Sequence, residues 1–165
     1  MNGLERLKAE AKEAGRDFNT LPVKLNMGFS ISHDRKEARE EMKGMGGGLR
    51  SIFVDGRGTF PPELERFREE ARRVGEAYDY RNHFMAHTPD GQLTPHAKLM
   101  SDELAEALGG FGTPQEMLPK FKALWQAIEQ MPNVGLFLVP HGSKSGRKRT
   151  FELFVNEILP KLRGR

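Results

Sequence analysis

A helix-rich α/β fold with two clear strands is predicted by three patterns in this chain of 165 residues. Val23, Leu25, Met27, Phe29 and Ile31 alternate with Lys24, Asn26, Gly28 and Ser30, the period-2 signature of a strand with two unlike faces. Val134 to Val139 is a continuous apolar run bounded by Asn133 and Pro140, which predicts a parallel strand covered on both faces. The segments around them carry apolar residues three and four apart, the spacing of amphipathic helices.

The elements follow in chain order. Leu4, Leu7, Ala11 and Ala14 mark a short helix that Gly15 stops. After the first strand, Asp34 and Glu37 form a capping-box pattern that opens a helix through Ala38 and Met42. Gly44, Gly46, Gly47 and Gly48 read as its flexible stop, and Leu49 to Val54 as a further short helix. Beyond the break at Thr59 to Pro62, Leu64, Phe67, Ala71, Val74 and Tyr78 line one face of a helix. Asp79 to Leu99 reads as a long excursion loop. Ser101 caps a helix carrying Leu104 and Leu108, which Gly109 and Gly110 end. Thr113, Pro114 and Glu116 give an N-cap, a first-turn proline and the reciprocal cap acceptor. Met117, Phe121, Leu124, Ile128 and Met131 continue that helix, with a kink expected at Pro119. His141 to Arg149 is a polar loop, and Phe151, Phe154, Val155, Ile158, Leu159 and Leu162 form the last helix.

Composition narrows the class of protein. With 37% hydrophobic and 30% charged residues and no Cys, the chain is of a size and make-up to bury a core without disulfides. No run of about 18 apolar residues exists and the first sixteen residues are charged helix, so neither a membrane span nor a secretory signal is expected, and the cytoplasm is the default location. Lys and Arg number 26 against 23 Asp and Glu, a net charge of +3. So balanced a sum does not imply nucleic-acid binding. The basic cluster Lys144, Arg147, Lys148 and Arg149 is the one local argument for a polyanion partner.

Gly15 to Asp17 before a strand, Glu37 to Arg39 on the helix after it, Ser101 to Leu104, Thr113 to Glu116, a buried strand and a helix ending at Ile158, Leu159 and Pro160 form one ordered pattern. That pattern resembles the C-terminal part of luciferase-like monooxygenases, the flavin- and deazaflavin-dependent oxidoreductases. Tyr78 to Tyr80, followed by His96 and Ala97, is most similar to the deazaflavin side of the family.

The resemblance implies the C-terminal part of a (β/α)8 TIM barrel, a fold of about 250 residues. Residues 1–165 would be a single partial domain, the last two β/α units with a helical insertion over about residues 44–112. The earlier strands, which carry most flavin contacts in the family, have no counterpart here. The implied cofactor is FMN or the deazaflavin coenzyme F-420, and the implied partners are a small-molecule substrate and either further copies of the chain or a missing N-terminal half. The chain would shape the pocket and be inactive alone. The alternative is a non-catalytic half-barrel assembly module that needs a partner chain, because two strands cannot close a barrel.

The functional face of such a barrel lies at the C-terminal ends of its strands. With Val23, Leu25, Met27, Phe29 and Ile31 facing helices, Asn26, Gly28, Ser30 and Ser32 face the lumen. Asn26, Ser30 and His96 are therefore candidate cofactor contacts, His96 because the resemblance implies a polar residue near that place. The alternative for Asn26 and Ser30 is that they satisfy one another or bound water. His141, Gly142, Ser143, Lys144 and Arg147 follow a strand and open a helix, where free amides and the helix dipole favour a phosphate or other anion. A solvated basic loop is the alternative, and the spacing is not that of a P-loop. No catalytic residue is assigned, and no metal site: His83 and His87 lie four apart but Pro89 interrupts the region. Trp125 reads as packing, whereas Tyr78 and Tyr80 fit a core edge or a pocket wall equally.

Overall fold

The computed structural model describes residues 3–162, folded as an α/β protein dominated by helices around a small parallel sheet. Strand β1 (Val23–Ile31) is central, β2 (Phe111–Gly112) pairs with its C-terminal end, and β3 (Val134–Pro140) pairs along its length from Val23↔Val134 to Phe29↔Pro140. The order is β2-β1-β3 with all pairs parallel. Successive strands therefore fall on opposite sides of β1. The two-residue β2 has no signal in the sequence, since an element so short carries no period.

The helices are α1 (Gly3–Glu13), α2 (Arg35–Met42), α3 (Gly46–Phe53), α4 (Arg68–Glu76), α5 (Pro95–Leu99), α6 (Asp102–Leu108), α7 (Pro114–Glu129) and α8 (Lys144–Leu153). A π-turn over Phe154–Ile158 carries α8 into α9 (Leu159–Leu162). None of the described helices is long and apolar enough to cross a membrane.

Capping sets several of these boundaries. The Asp34 carboxylate accepts from Lys36 N–H at 2.8 Å, and the Thr113/Glu116 box closes in both directions. Pro119 lies inside α7 without interrupting it. Met27, Phe29 and Ile31 pack with Met117 and Phe121 of α7, Leu138, Phe154 and Ile158, so one sheet face is the core. Phe29, Phe121 and Phe154 meet there with ring centroids 5.1–5.6 Å apart, in tilted and edge-on contacts. A second cluster joins Leu49, Phe60, Ala71, Val74, Met100 and Leu104 beneath α3, α4 and α6.

Four readings are corrected. Gly46, Gly47 and Gly48 do not stop a helix; they form the first turn of α3, because Gly46 and Gly47 lie so close to the Tyr78 ring that a Cβ would crowd it. The 79–99 excursion contains α5 and a bridge between His87 and Leu93. The last helix begins at Lys144, where Ser143 caps it, since hydroxyl-to-amide capping outweighs the local polarity. Finally, β3 is not covered on both faces: Phe137 is 57% exposed, and Trp125 on α7 is also half exposed.

Candidate functional site

The second face of the sheet bears the residues between the core positions. Asn26 and Gly28 of β1, Val139 of β3 and His141 just beyond it line a half-open cavity of about 240 Å³ together with Met45, Gly48 and Phe84. It lies between the C-terminal halves of β1 and β3, next to the point where the strand order reverses, the usual ligand position in parallel sheets. The walls are apolar apart from Asn26 and His141. Gly28 makes the geometry possible: a Cβ there would overlap the His141 imidazole at Nε2 and crowd Met45 Sδ.

His141 is 3% exposed, and its Nδ1 has no hydrogen-bond partner. Burial, with the nearby His83 and Arg147, lowers its pKa from 6.5 to about 4, so the ring is neutral at physiological pH. A neutral imidazole with an uncommitted nitrogen can donate or accept one hydrogen bond, as the tautomer allows.

Phe84 forms the aromatic wall and has a φ of 62° that non-glycine residues rarely adopt. Both of its backbone polar groups are pinned. Its N–H donates to Tyr78 Oη at 3.1 Å, and its carbonyl accepts from Gly142 N–H at 3.0 Å. Tyr78 Oη, which accepts from Phe84 N–H, also lies 2.5 Å from His83 Nδ1, a hydrogen bond in which either atom can donate according to the His83 tautomer. Burial also lowers the His83 pKa, in keeping with a neutral ring. Phe84 packs between His83 and His141, with centroids 3.6 and 4.6 Å away.

The candidates therefore separate in space. Of Asn26, Ser30 and His96, Asn26 lines the cavity. Ser30 shares its strand face but is fully buried, with its Oγ unpartnered. His96 sits behind the wall, 4.6 Å from Tyr78, with Nε2 3.1 Å from the Met85 carbonyl and Nδ1 unpartnered.

In the anion group, His141 turns into the cavity, while the start of α8 holds a carboxylate from the chain itself. Glu41 accepts from Ser143 N–H and from Ser143 Oγ, both at 2.7 Å. Gly142 and Gly146 admit that carboxylate, since a Cβ on either would collide with it. Lys144 lies instead along a separate cleft of about 670 Å³ with Met85, His87, Pro89 and Lys148. Arg147 is half-buried, and its charge reaches His83 and His141.

Sequence reasoning missed Met45, Phe84 and Glu41. A buried Glu three residues before the glycine cluster has no local signal, and nothing in the sequence distinguishes Phe84 from other loop aromatics. Comparison with protein-family models and with curated proteins gives no match to this chain.

Proposed function

We propose that this chain forms the cofactor- and substrate-facing wall of a flavin- or deazaflavin-dependent oxidoreductase of the luciferase-like kind, the C-terminal strands of a (β/α)8 barrel. The observation that carries the reading is the cavity over β1 and β3: apolar walls from Met45, Phe84 and Val139, with hydrogen-bonding capacity confined to Asn26 and a neutral His141. Such a lining suits the edge of a planar heteroaromatic ring better than a charged or sugar-like ligand. At about 240 Å³ it holds an edge, since whole cofactor sites run from about 300 to 1,000 Å³. Parallel neighbours such as β1 and β3 are what a barrel needs, while β2, which follows β1 in sequence but pairs on its other edge, would be an addition to the barrel order.

The residues fit the group in this limited sense. Asn26 and His141 would hold the polar ring edge, Gly28 would let it approach the sheet, and Phe84 would exclude water from one side. The cofactor, when bound, supplies the hydride chemistry. Titration of the purified chain with FMN and with the deazaflavin coenzyme, followed by flavin fluorescence and by imidazole NMR shifts of His141, tests the reading. Binding of one of them that is weakened about tenfold by Asn26→Ala supports it. Because the cavity would hold one ring edge, binding is expected to be weak, with a Kd on the order of millimolar, and His141 resonances unmoved by either cofactor at such concentrations overturn the reading.

A further inference from the structure

The same sheet face continues beyond the cavity toward the N-terminal ends of the strands, and there it is bare. Lys24, Asn26 and Gly135 are exposed and Phe137, the register partner of Asn26, is 57% exposed. Phe137 shares its face with Val139, which lines the cavity, while Leu138 points into the core on the other side. Among the described residues β3 pairs with β1 alone, so its outer edge is open. Parallel sheets are ordinarily buried on both faces and protected at their edges. This edge has no charged residue from Val134 to Pro140.

The hydrogen bonds to β1 show which groups are free. His141 N–H donates to the Phe29 carbonyl at 2.8 Å and Val23 N–H to the Asn133 carbonyl at 2.9 Å, so the odd-numbered residues of β3 face β1 and the even-numbered ones face outward. Val134 N–H is taken by the Met131 carbonyl and Pro140 has no N–H. The open edge therefore presents the N–H and C=O groups of Leu136 and Leu138, placed symmetrically about Phe137.

We infer that β3 pairs antiparallel with β3 of a second copy of this chain, about a two-fold axis at Phe137. Leu136 then faces Leu138 of the second copy, and each such pair exchanges both N–H···O bonds. Phe137 meets its own counterpart in the close, non-hydrogen-bonded position, where cross-strand aromatic pairs are favourable. The uncharged edge is self-complementary, as a two-fold interface requires.

The chain exposes 9930 Å² in all, whereas a monomer of 18.7 kDa is expected to expose about 8,300 Å², and the bare part of the sheet face contributes to that excess. Both cavities then open on the same side of one continuous sheet. The inference uses the sheet edge and not the cavity; because a closed barrel would give that edge to another strand, a β3–β3 dimer argues against barrel closure in this chain and leaves the cavity lining unaffected.

Sedimentation of the purified chain without cofactor, over a wide concentration range, tests it together with cross-linking. The chain has no Cys, so Phe137→Cys introduces a single thiol with Cα atoms about 4.5 Å apart across the axis, within reach of a disulfide. We expect a dimer for the unsubstituted protein and rapid disulfide dimers for Phe137→Cys under mild oxidation. Phe151→Cys, equally exposed on α8, should cross-link far more slowly. Phe137→Lys opposes two ammonium groups at the axis and should raise the dimer dissociation constant by about a hundredfold or more with unchanged circular dichroism. A folded monomer at every concentration, or equal cross-linking of the two cysteine variants, overturns the inference. A monomer that binds flavin separates this failure from that of the cofactor reading.

Discussion

The two halves of one sheet face follow opposite packing rules. Toward the C-terminal ends of β1 and β3, polar groups are buried and closely fitted: Glu41 against Ser143, Phe84 held by Tyr78 and Gly142, and His141 neutral over Gly28. Toward the N-terminal ends, Lys24 and Phe137 are exposed, and nothing lies within 4 Å of where a Gly135 Cβ would sit. The lesson concerns glycine. In the closed half it provides room for another group, and in the open half it is merely a residue without a side chain. The closed half is specified by contacts distant in sequence, so it should be intolerant of small changes that the open half accepts.

Gly142→Ala is the largest expected break in that contrast. Gly142 has a φ of 117°, and a Cβ there collides with the Glu41 carboxylate. Backbone strain plus displacement of a buried carboxylate should cost about 4 kcal/mol, read as a lower urea midpoint.

The next effect is that of pH. The pKa of His141 is about 4 folded and 6.5 in an unperturbed chain, so the unfolded state takes up the proton first on acidification. Its contribution is complete above pH 6.5 and is lost as pH falls toward about 4, a change of about 3 kcal/mol. His83 and His96, whose pKa values burial also lowers, act in the same direction. Urea melts at both ends of that window should show the loss, and His141→Gln should remove most of the His141 share.

Glu41→Gln keeps the volume but gives up charge-assisted hydrogen bonds at the α8 cap, and should destabilise by about 1–2 kcal/mol. A melt no different from that of the unsubstituted protein would show that the carboxylate is not the anion the α8 start holds. The smallest effect belongs to the open half. Gly135→Ala meets no neighbour and restricts the unfolded chain, so it should stabilise by about 0.5 kcal/mol in the same assay. A loss comparable to that of Gly142→Ala would erase the distinction between the halves.

Legibility in the sequence follows the range of the interactions involved. The β1 alternation, the β3 run and the Asp34 and Thr113 caps were readable because each depends on residues within a turn or two of one another, whereas the Leu64 to Tyr78 stripe overstated its helix: Pro62–Phe67 is a 3-10 helix and the α-helix spans Arg68–Glu76. Asn26 could be assigned to the cavity face from strand period alone. His96 could not be placed, because its position behind Tyr78 depends on how α5 and α3 pack.

By itself, then, the sequence determined that this is a helix-rich α/β chain, where β1 lies, where α7 starts, and which face of β1 is apolar, since local hydrogen bonding and hydrophobic period decide those things. Only the tertiary structure decided that the glycines open α3 instead of ending α2, that the α8 start holds Glu41, and that β3 has an open edge. Each of these turns on which surface a distant segment covers. A burial pattern shows that a face is apolar but not what lies over it, and a charge at a helix start is settled by whichever group reaches it first in the folded chain.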